Sequence, residues 1–224
     1  MTRVLIVDDQ PLQRLGMRMF LSGQEDLEVV GEAGDGGAAI GAAAALRPDV
    51  VLLDIRMPGI DGITATHRIL TAHPDPTTAP RVLLLTTFGL DDYVISGLEA
   101  GASGFLTKDS EPEAILAAIR AVATGDAVLT PNATRQLLDR IATSNTPPRA
   151  AHSNLPGQIT PRERDILTAL GHGMTNREIA AHLHLAESTV KNYIGRIFTK
   201  LDARDRVHAT IIAFRAGLVD PNQH

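Results

Sequence analysis

The stretch that most constrains this chain is Val50–Gly62, VVLLDIRMPGIDG. Val50 to Leu53 are apolar without polar alternation. At this length that pattern fits a strand covered on both faces, and so a parallel sheet sandwiched between helices. The run stops at a carboxylate, Asp54. Met57-Pro58-Gly59 then turns the chain and Asp61-Gly62 starts a helix. Ligands of open α/β sheets bind beyond the carboxyl ends of the strands, which puts Asp54 at the reactive edge.

The flanking sequence supplies the rest of such a sheet. Strands are read at Arg3–Val7, Glu28–Ala33, Val50–Leu53, Arg81–Leu85 and Gly104–Leu106. Helices are read at Pro11–Leu21 (apolar spacing Leu12, Leu15, Met19), Ala38–Leu46, Ile63–Ala72, Asp91–Ala100 and up to Ala123. Ser110-Glu111-Pro112-Glu113 reads as a capping box opening the last of these. Gly34–Gly37 fits no phosphate-cradling spacing and reads as a turn. Five strands alternating with five helices predict an α/β doubly wound five-stranded parallel sheet with right-handed crossovers.

Its strand ends gather chemistry on one edge: Asp8-Asp9, Asp54, Thr86 and Lys108. Three neighbouring carboxylates repel one another unless a cation neutralises them. With no cysteine in the chain, a hard, oxygen-preferring ion such as Mg²⁺ suits the site. A lysine and a hydroxyl beside it are ligands for phosphoryl oxygens. The chemistry implied is phosphoryl transfer to Asp54 as a carboxylate nucleophile.

Four pieces, VLIVDDQ (Val4–Gln10), LLDIRMPGIDG (Leu52–Gly62), RVLLLTT (Arg81–Thr87) and GASGFLTKD (Gly101–Asp109), resemble in order the receiver domain of two-component response regulators. The resemblance runs over about residues 1–125 and implies a flavodoxin-like fold. It implies Asp54 as phosphoacceptor, phosphorylated by a sensor histidine kinase. It implies Asp9, Asp54 and the backbone carbonyl of Arg56 as metal ligands, with Asp8 acting through water. Lys108 matches the phosphate-pairing lysine, Thr86 the hydroxyl that follows the phosphoryl group, and Phe105 the switch aromatic.

The chain then changes character. Its 224 residues allow one or two domains. Charge supports two: residues 1–158 carry 12 Lys+Arg against 19 Asp+Glu, and residues 159–224 carry 9 against 7. An acidic front and a mildly basic back point to different partners. Pro131–Ile141 reads as a further helix and Thr143–Gln158, polar and proline-rich, as a linker. Thr160-Pro161-Arg162-Glu163 and Thr175-Asn176-Arg177-Glu178 are capping boxes. They launch helices over Arg162–Leu170 and to about Leu183. Glu187–Leu201 is a longer helix with an apolar stripe at Val190, Ile194, Ile197 and Leu201, and Arg206–Ala216 follows with Val207, Ile211 and Phe214 on one side. Helix, short turn, longer polar-faced helix is the helix-turn-helix pattern, whose second helix enters the DNA major groove.

ITPRERDIL, MTNREIAAHLHLAESTVKNYIGRIFTKL and AFRAGLV resemble the tail of the NarL/FixJ (LuxR-type) regulators. The resemblance implies a small all-α four-helix domain that binds double-stranded DNA through Glu187–Leu201. Thr189, Arg196 and Lys200 are then candidates for phosphate contacts, and Lys191 and Asn192 for base edges. His182 and His184 read as a surface pair, since no third metal ligand accompanies them. Two departures from the family stand out. Ala186 replaces the serine that commonly caps the recognition helix, and Gly195 replaces a polar residue.

The expectation is therefore a DNA-binding response regulator with a receiver (1–125), a helix and linker (126–158) and a LuxR-type domain (159–224). It works as a homodimer promoted by phosphorylation, through receiver helices or the Val207–Phe214 helix. No apolar run reaches the ~18 residues of a membrane span and MTRVLIVDDQ reads as a strand rather than a signal peptide, so a cytoplasmic location without membrane contact is expected. A phosphatase using Asp54 wants a second acid/base carboxylate two residues on, and Arg56 stands there. A regulator that never takes phosphate, with the receiver only an interaction module, is the alternative. The intact Asp9, Asp54, Thr86 and Lys108 set argues against it. Arg56, and Phe88 two residues beyond Thr86, are poor water-orienting groups, so any self-dephosphorylation is expected to be slow.

Overall fold

A computed structural model describes residues 1–73, 75, 78–86, 90–126, 128 and 159–219. The helix read over Pro131–Ile141, the linker read over Thr143–Gln158, and Thr87 and Phe88 lie outside the described residues. The chain divides into two compact units, Met1–Leu129 and Thr130–His224.

In the first unit β1 (Thr2–Val7), β2 (Leu27–Ala33), β3 (Val50–Asp54), β4 (Arg81–Thr86) and β5 (Gly104–Thr107) form one sheet in the order β2-β1-β3-β4-β5. Every pairing is parallel. Helices α1 (Pro11–Ser22), α2 (Gly36–Leu46), α3 (Gly62–Thr71), α4 (Leu90–Ala100) and α5 (Pro112–Ala123) alternate with the strands. The apolar runs of β1, β3 and β4 are buried at Val4–Val7, Val50–Leu53 and Val82–Leu85, which is what a sheet covered on both faces requires. The strand order reverses direction at β1, so the crevice between the ends of β1 and β3 is the topological switch point where such folds bind ligands.

Two local readings change. The apolar residues Leu12, Leu15 and Met19 of α1 face outward, with 81%, 52% and 70% of their surface exposed. Leu21 is buried instead, with Met17 and Phe20 packed on the same core. Both sets have helical spacing, so periodicity alone could not choose between the two faces. At α5 the capping box does not form. Pro112 occupies the first helical turn and Glu111, not Ser110, is the N-cap, with no side-chain bond. The Ser110 hydroxyl pairs with Thr107 Oγ1 at 3.0 Å instead.

The second unit holds α6 (Pro161–Gly171), α7 (Asn176–Leu183), α8 (Glu187–Leu201) and α9 (Arg206–Arg215). Both capping boxes form as read, with Thr160 and Thr175 N–H groups donating to Glu163 and Glu178 at 2.8 and 2.7 Å. The α8 stripe Val190, Ile194, Ile197, Leu201 is buried, against Ile166, Leu167, Leu170 and Ile179. On α9 Val207, Ala209 and Ala213 are buried, with Thr210 donating to the Leu170 carbonyl, while Ile211 and Phe214 are half-buried. Small residues allow α9 to lie close to α6: a β-carbon on Gly171 would come within 2.3 Å of Val219 and 3.4 Å of Ala213. No helix among the described residues is long and apolar enough to cross a membrane.

Candidate functional site

Parallel register sets the pocket. Val7 pairs with Leu53, so the residues that follow, Asp8 and Asp54, end side by side at the switch point. Both are buried, each 4% exposed. Asp9 is half-buried beside them, and carboxylate oxygens of Asp8, Asp9 and Asp54 all lie within 4.8 Å of one another. A β-carbon on Gly62 would sit 2.2 Å from the Asp54 carbonyl oxygen. The glycine that starts α3 thus lets the helix close against the strand that carries Asp54.

Lys108 reaches in from beyond β5, its backbone N–H donating to the Thr86 carbonyl at 2.8 Å. Its ammonium donates to Asp8 Oδ2 at 2.5 Å and to Asp54 Oδ2 at 2.7 Å. The second oxygen of Asp8 accepts from the Gln10 N–H at 2.9 Å and that of Asp54 from the Arg56 N–H at 3.2 Å. Asp9 makes no side-chain hydrogen bond or ion pair with any described residue.

Charge in the pocket is unbalanced. Burial works against the Lys108 ammonium, but its bonds to Asp54 and Asp8 outweigh this and hold the lysine above its ordinary pKa. Burial pushes the Asp54 carboxyl above its usual range, helped by Asp8, while Lys108 pulls it down. Two carboxylates, Asp8 and Asp54, share the one ammonium, and Asp9 adds a third negative charge beside them. An all-oxygen donor set with excess negative charge fits a hard divalent cation, and the unpartnered Asp9 is the carboxylate with both oxygens available to it.

Thr86 is buried at the end of β4, one residue past Leu85, which pairs with Asp54. Phe105 on β5 is buried and lies against α4, where a β-carbon on Gly97 would meet its ring at 2.4 Å. Arg56 is exposed.

In the second unit Lys191, Asn192 and Arg196 lie exposed on α8 without an intramolecular partner among the described residues, and Thr189 is half-buried. The α8 N-cap, Ala186, makes no side-chain cap. His184 is the left-handed C-cap of α7 at φ 53°, a backbone role. Lys200, read as a phosphate contact, is tied internally. Its ammonium donates to Glu163 Oε2 at 2.7 Å, the same oxygen that accepts from Thr160 N–H and Oγ1. These bonds hold the Glu163 carboxyl down at about 2, Lys200 contributing most. Two more clamps escaped sequence reasoning: Arg162 donates to the Leu183 carbonyl at 2.7 Å, and Arg206 to Asn176 Oδ1 at 3.0 Å and to the Met174 carbonyl. Only the capping-box glutamate was visible beforehand. Its cationic partner lies 37 residues away.

Residues 4–120 match the family described as response regulator receiver domain, and residues 158–213 match the bacterial regulatory proteins of the luxR family. The chain is 39% identical to the transcriptional regulatory protein LiaR of Bacillus subtilis, over 98% of this chain and 100% of that one. It is 35% identical to the nitrate/nitrite response regulator protein NarL of Escherichia coli, over 93% of each. Among solved structures, a two-component response regulator of the LuxR family from an Aurantimonas species superposes with a TM-score of 0.55 at 32% identity. That match covers 63% of this chain and 98% of that one.

Proposed function

The chain belongs to the response regulators that join a receiver domain to a luxR-family DNA-binding domain, and on that premise we propose that phosphorylation of Asp54 controls DNA binding by α8. The observation that carries the first half is the pocket at the switch point, where Asp54 sits 2.7 Å from the Lys108 ammonium and within 4.8 Å of Asp8 and Asp9. A sensor histidine kinase is the phosphodonor. An Asp54 carboxylate oxygen attacks phosphorus, a P–O bond forms, and the bond from phosphorus to the donor's histidine nitrogen breaks. Lys108 then turns its ammonium to the new phosphoryl oxygens, and Thr86 brings its hydroxyl to the same group. Asp9, Asp54 and the Arg56 carbonyl would hold Mg²⁺, with Asp8 acting through water; the ion supplies positive charge against the phosphoryl oxygens. Phe105 is the aromatic whose position reports the state of Thr86. Self-dephosphorylation is slow, because Arg56 is no water-orienting base.

The receiver occupies residues 1–125, the connection 126–158 and the DNA-binding domain 159–224. The protein acts in the cytoplasm as a phosphorylation-promoted homodimer on double-stranded DNA. Lys191 and Asn192 face base edges and Arg196 a phosphate, with Thr189 at the helix start; Lys200 serves mainly as a clamp. The test of the phosphorylation reading uses Mg²⁺ and a small phosphodonor. One phosphoryl group per chain is expected, absent in Asp54→Asn. Undiminished labelling of that variant would overturn the assignment.

A further inference from the structure

Glycine in a helix interior weakens the helix, because it has more backbone freedom to lose than any other residue. Most glycines described in this chain have an internal reason. A β-carbon on Gly36, Gly62, Gly97 or Gly171 would come within 2.2–2.4 Å of a neighbouring atom, and Gly59 and Gly217 adopt φ values of 77° and 69°. Three helical glycines, Gly16, Gly41 and Gly195, have neither reason, and of these only Gly195 lies on the helix read as facing DNA. It lies in the middle of α8, and a β-carbon there would meet nothing within 4 Å. Its neighbours on the exposed surface are Lys191, Asn192 and Arg196, while the buried stripe runs along the opposite side at Val190, Ile194 and Ile197. One turn on, the Thr199 hydroxyl is folded back onto the Gly195 carbonyl at 3.0 Å. The helix therefore presents a shallow facet between three polar side chains that have no partner among the described residues.

We infer that Gly195 is a specificity-determining position where the recognition helix approaches DNA most closely, and that the excluded β-carbon is excluded by DNA and not by the protein. This rests on the reading of α8 as the DNA-contacting helix. With no side chain at this point the helix sinks further into the major groove, so that the short Asn192 side chain reaches a base edge and Arg196 reaches the backbone.

The test uses the full chain. A duplex is selected from a random pool with the unaltered protein, and dissociation constants are measured on it and on a scrambled duplex for Gly195→Ala and Gly195→Ser. Unfolding midpoints are recorded alongside. Gly195→Ala is expected to raise the midpoint, as removal of a helical glycine should. It is also expected to weaken the selected duplex by about tenfold or more, the scale of one mismatched base pair, with the scrambled duplex changed less than about twofold. A stabilised Gly195→Ala protein that binds the selected duplex as tightly as before overturns the inference, as do equal losses on both duplexes. Failure of the unaltered protein to enrich any duplex overturns the DNA-binding reading itself, and this inference with it.

Discussion

Replacing Lys200 by Met separates two roles proposed for this residue on α8. In the structure its ammonium is 2.7 Å from Glu163 Oε2, and Glu163 is 3% exposed. The substitution keeps the aliphatic stem and removes one charge-assisted hydrogen bond, a class contributing about 1.5–3 kcal/mol. The Lys200 side chain is 36% exposed, so solvent screens the pair and about 1–2 kcal/mol is the expected loss. Glu163 keeps its bonds to Thr160 N–H and Oγ1, which is why the loss stays below that of an orphaned buried charge. Native-state hydrogen exchange of the α6 and α8 amides reads this domain separately from the receiver. Protection should fall there in Lys200→Met, and a cycle with Glu163→Gln should show coupling of ~1 kcal/mol. The salt dependence of DNA binding should change by less than the roughly one unit expected of a lost phosphate contact. Unchanged α6 protection together with a full unit lost from the salt slope would refute the clamp and make Lys200 a phosphate contact.

Acid should weaken the same domain in a defined window. Glu163 titrates at about 2 when folded, against an ordinary 4.5. Its stabilisation is therefore complete above about 4.5 and lost as pH falls toward 2, and urea midpoints of Lys200→Met should lose part of that slope. Lys108→Met should leave the buried Asp8 and Asp54 facing each other without their shared ammonium. The receiver should lose about 3 kcal/mol, Mg²⁺ should restore more of that loss than it adds to the unaltered protein, and thermal melts with and without Mg²⁺ check this. Gly97→Ala should displace the Phe105 ring, which a β-carbon would meet at 2.4 Å, and cost about 1–3 kcal/mol; aromatic NMR shifts and melts report both. Serine at Leu12, Leu15 and Met19 should each change receiver stability by less than about 0.5 kcal/mol, because all three are exposed.

The amino-acid sequence determined by itself whatever depends on near neighbours along the chain. Continuous apolar runs at Val50–Leu53 and Val82–Leu85 specified strands buried on both faces. Thr160–Glu163 and Thr175–Glu178 specified their capping boxes, because both partners lie three residues apart. The α8 stripe was legible because only one face of that helix is apolar. Tertiary structure decided the rest. Helix α1 is apolar on two faces, and only packing on the sheet chose Met17, Phe20 and Leu21 over Leu12, Leu15 and Met19. Helix α9 buries Val207 from the apolar side read in its sequence, but packing on α6 also turned Ala209 and Ala213 inward and left Ile211 and Phe214 half-buried. The carboxylates and Lys108 were each readable at strand ends, but the ammonium's division between Asp8 and Asp54 follows from parallel register across a sheet that joins residues 54 and 100 positions apart. Lys200 was legible as a candidate phosphate contact, but its tie to Glu163 was not. Its partner Glu163 is on another helix, and three-dimensional folding alone brings that charge within 2.7 Å.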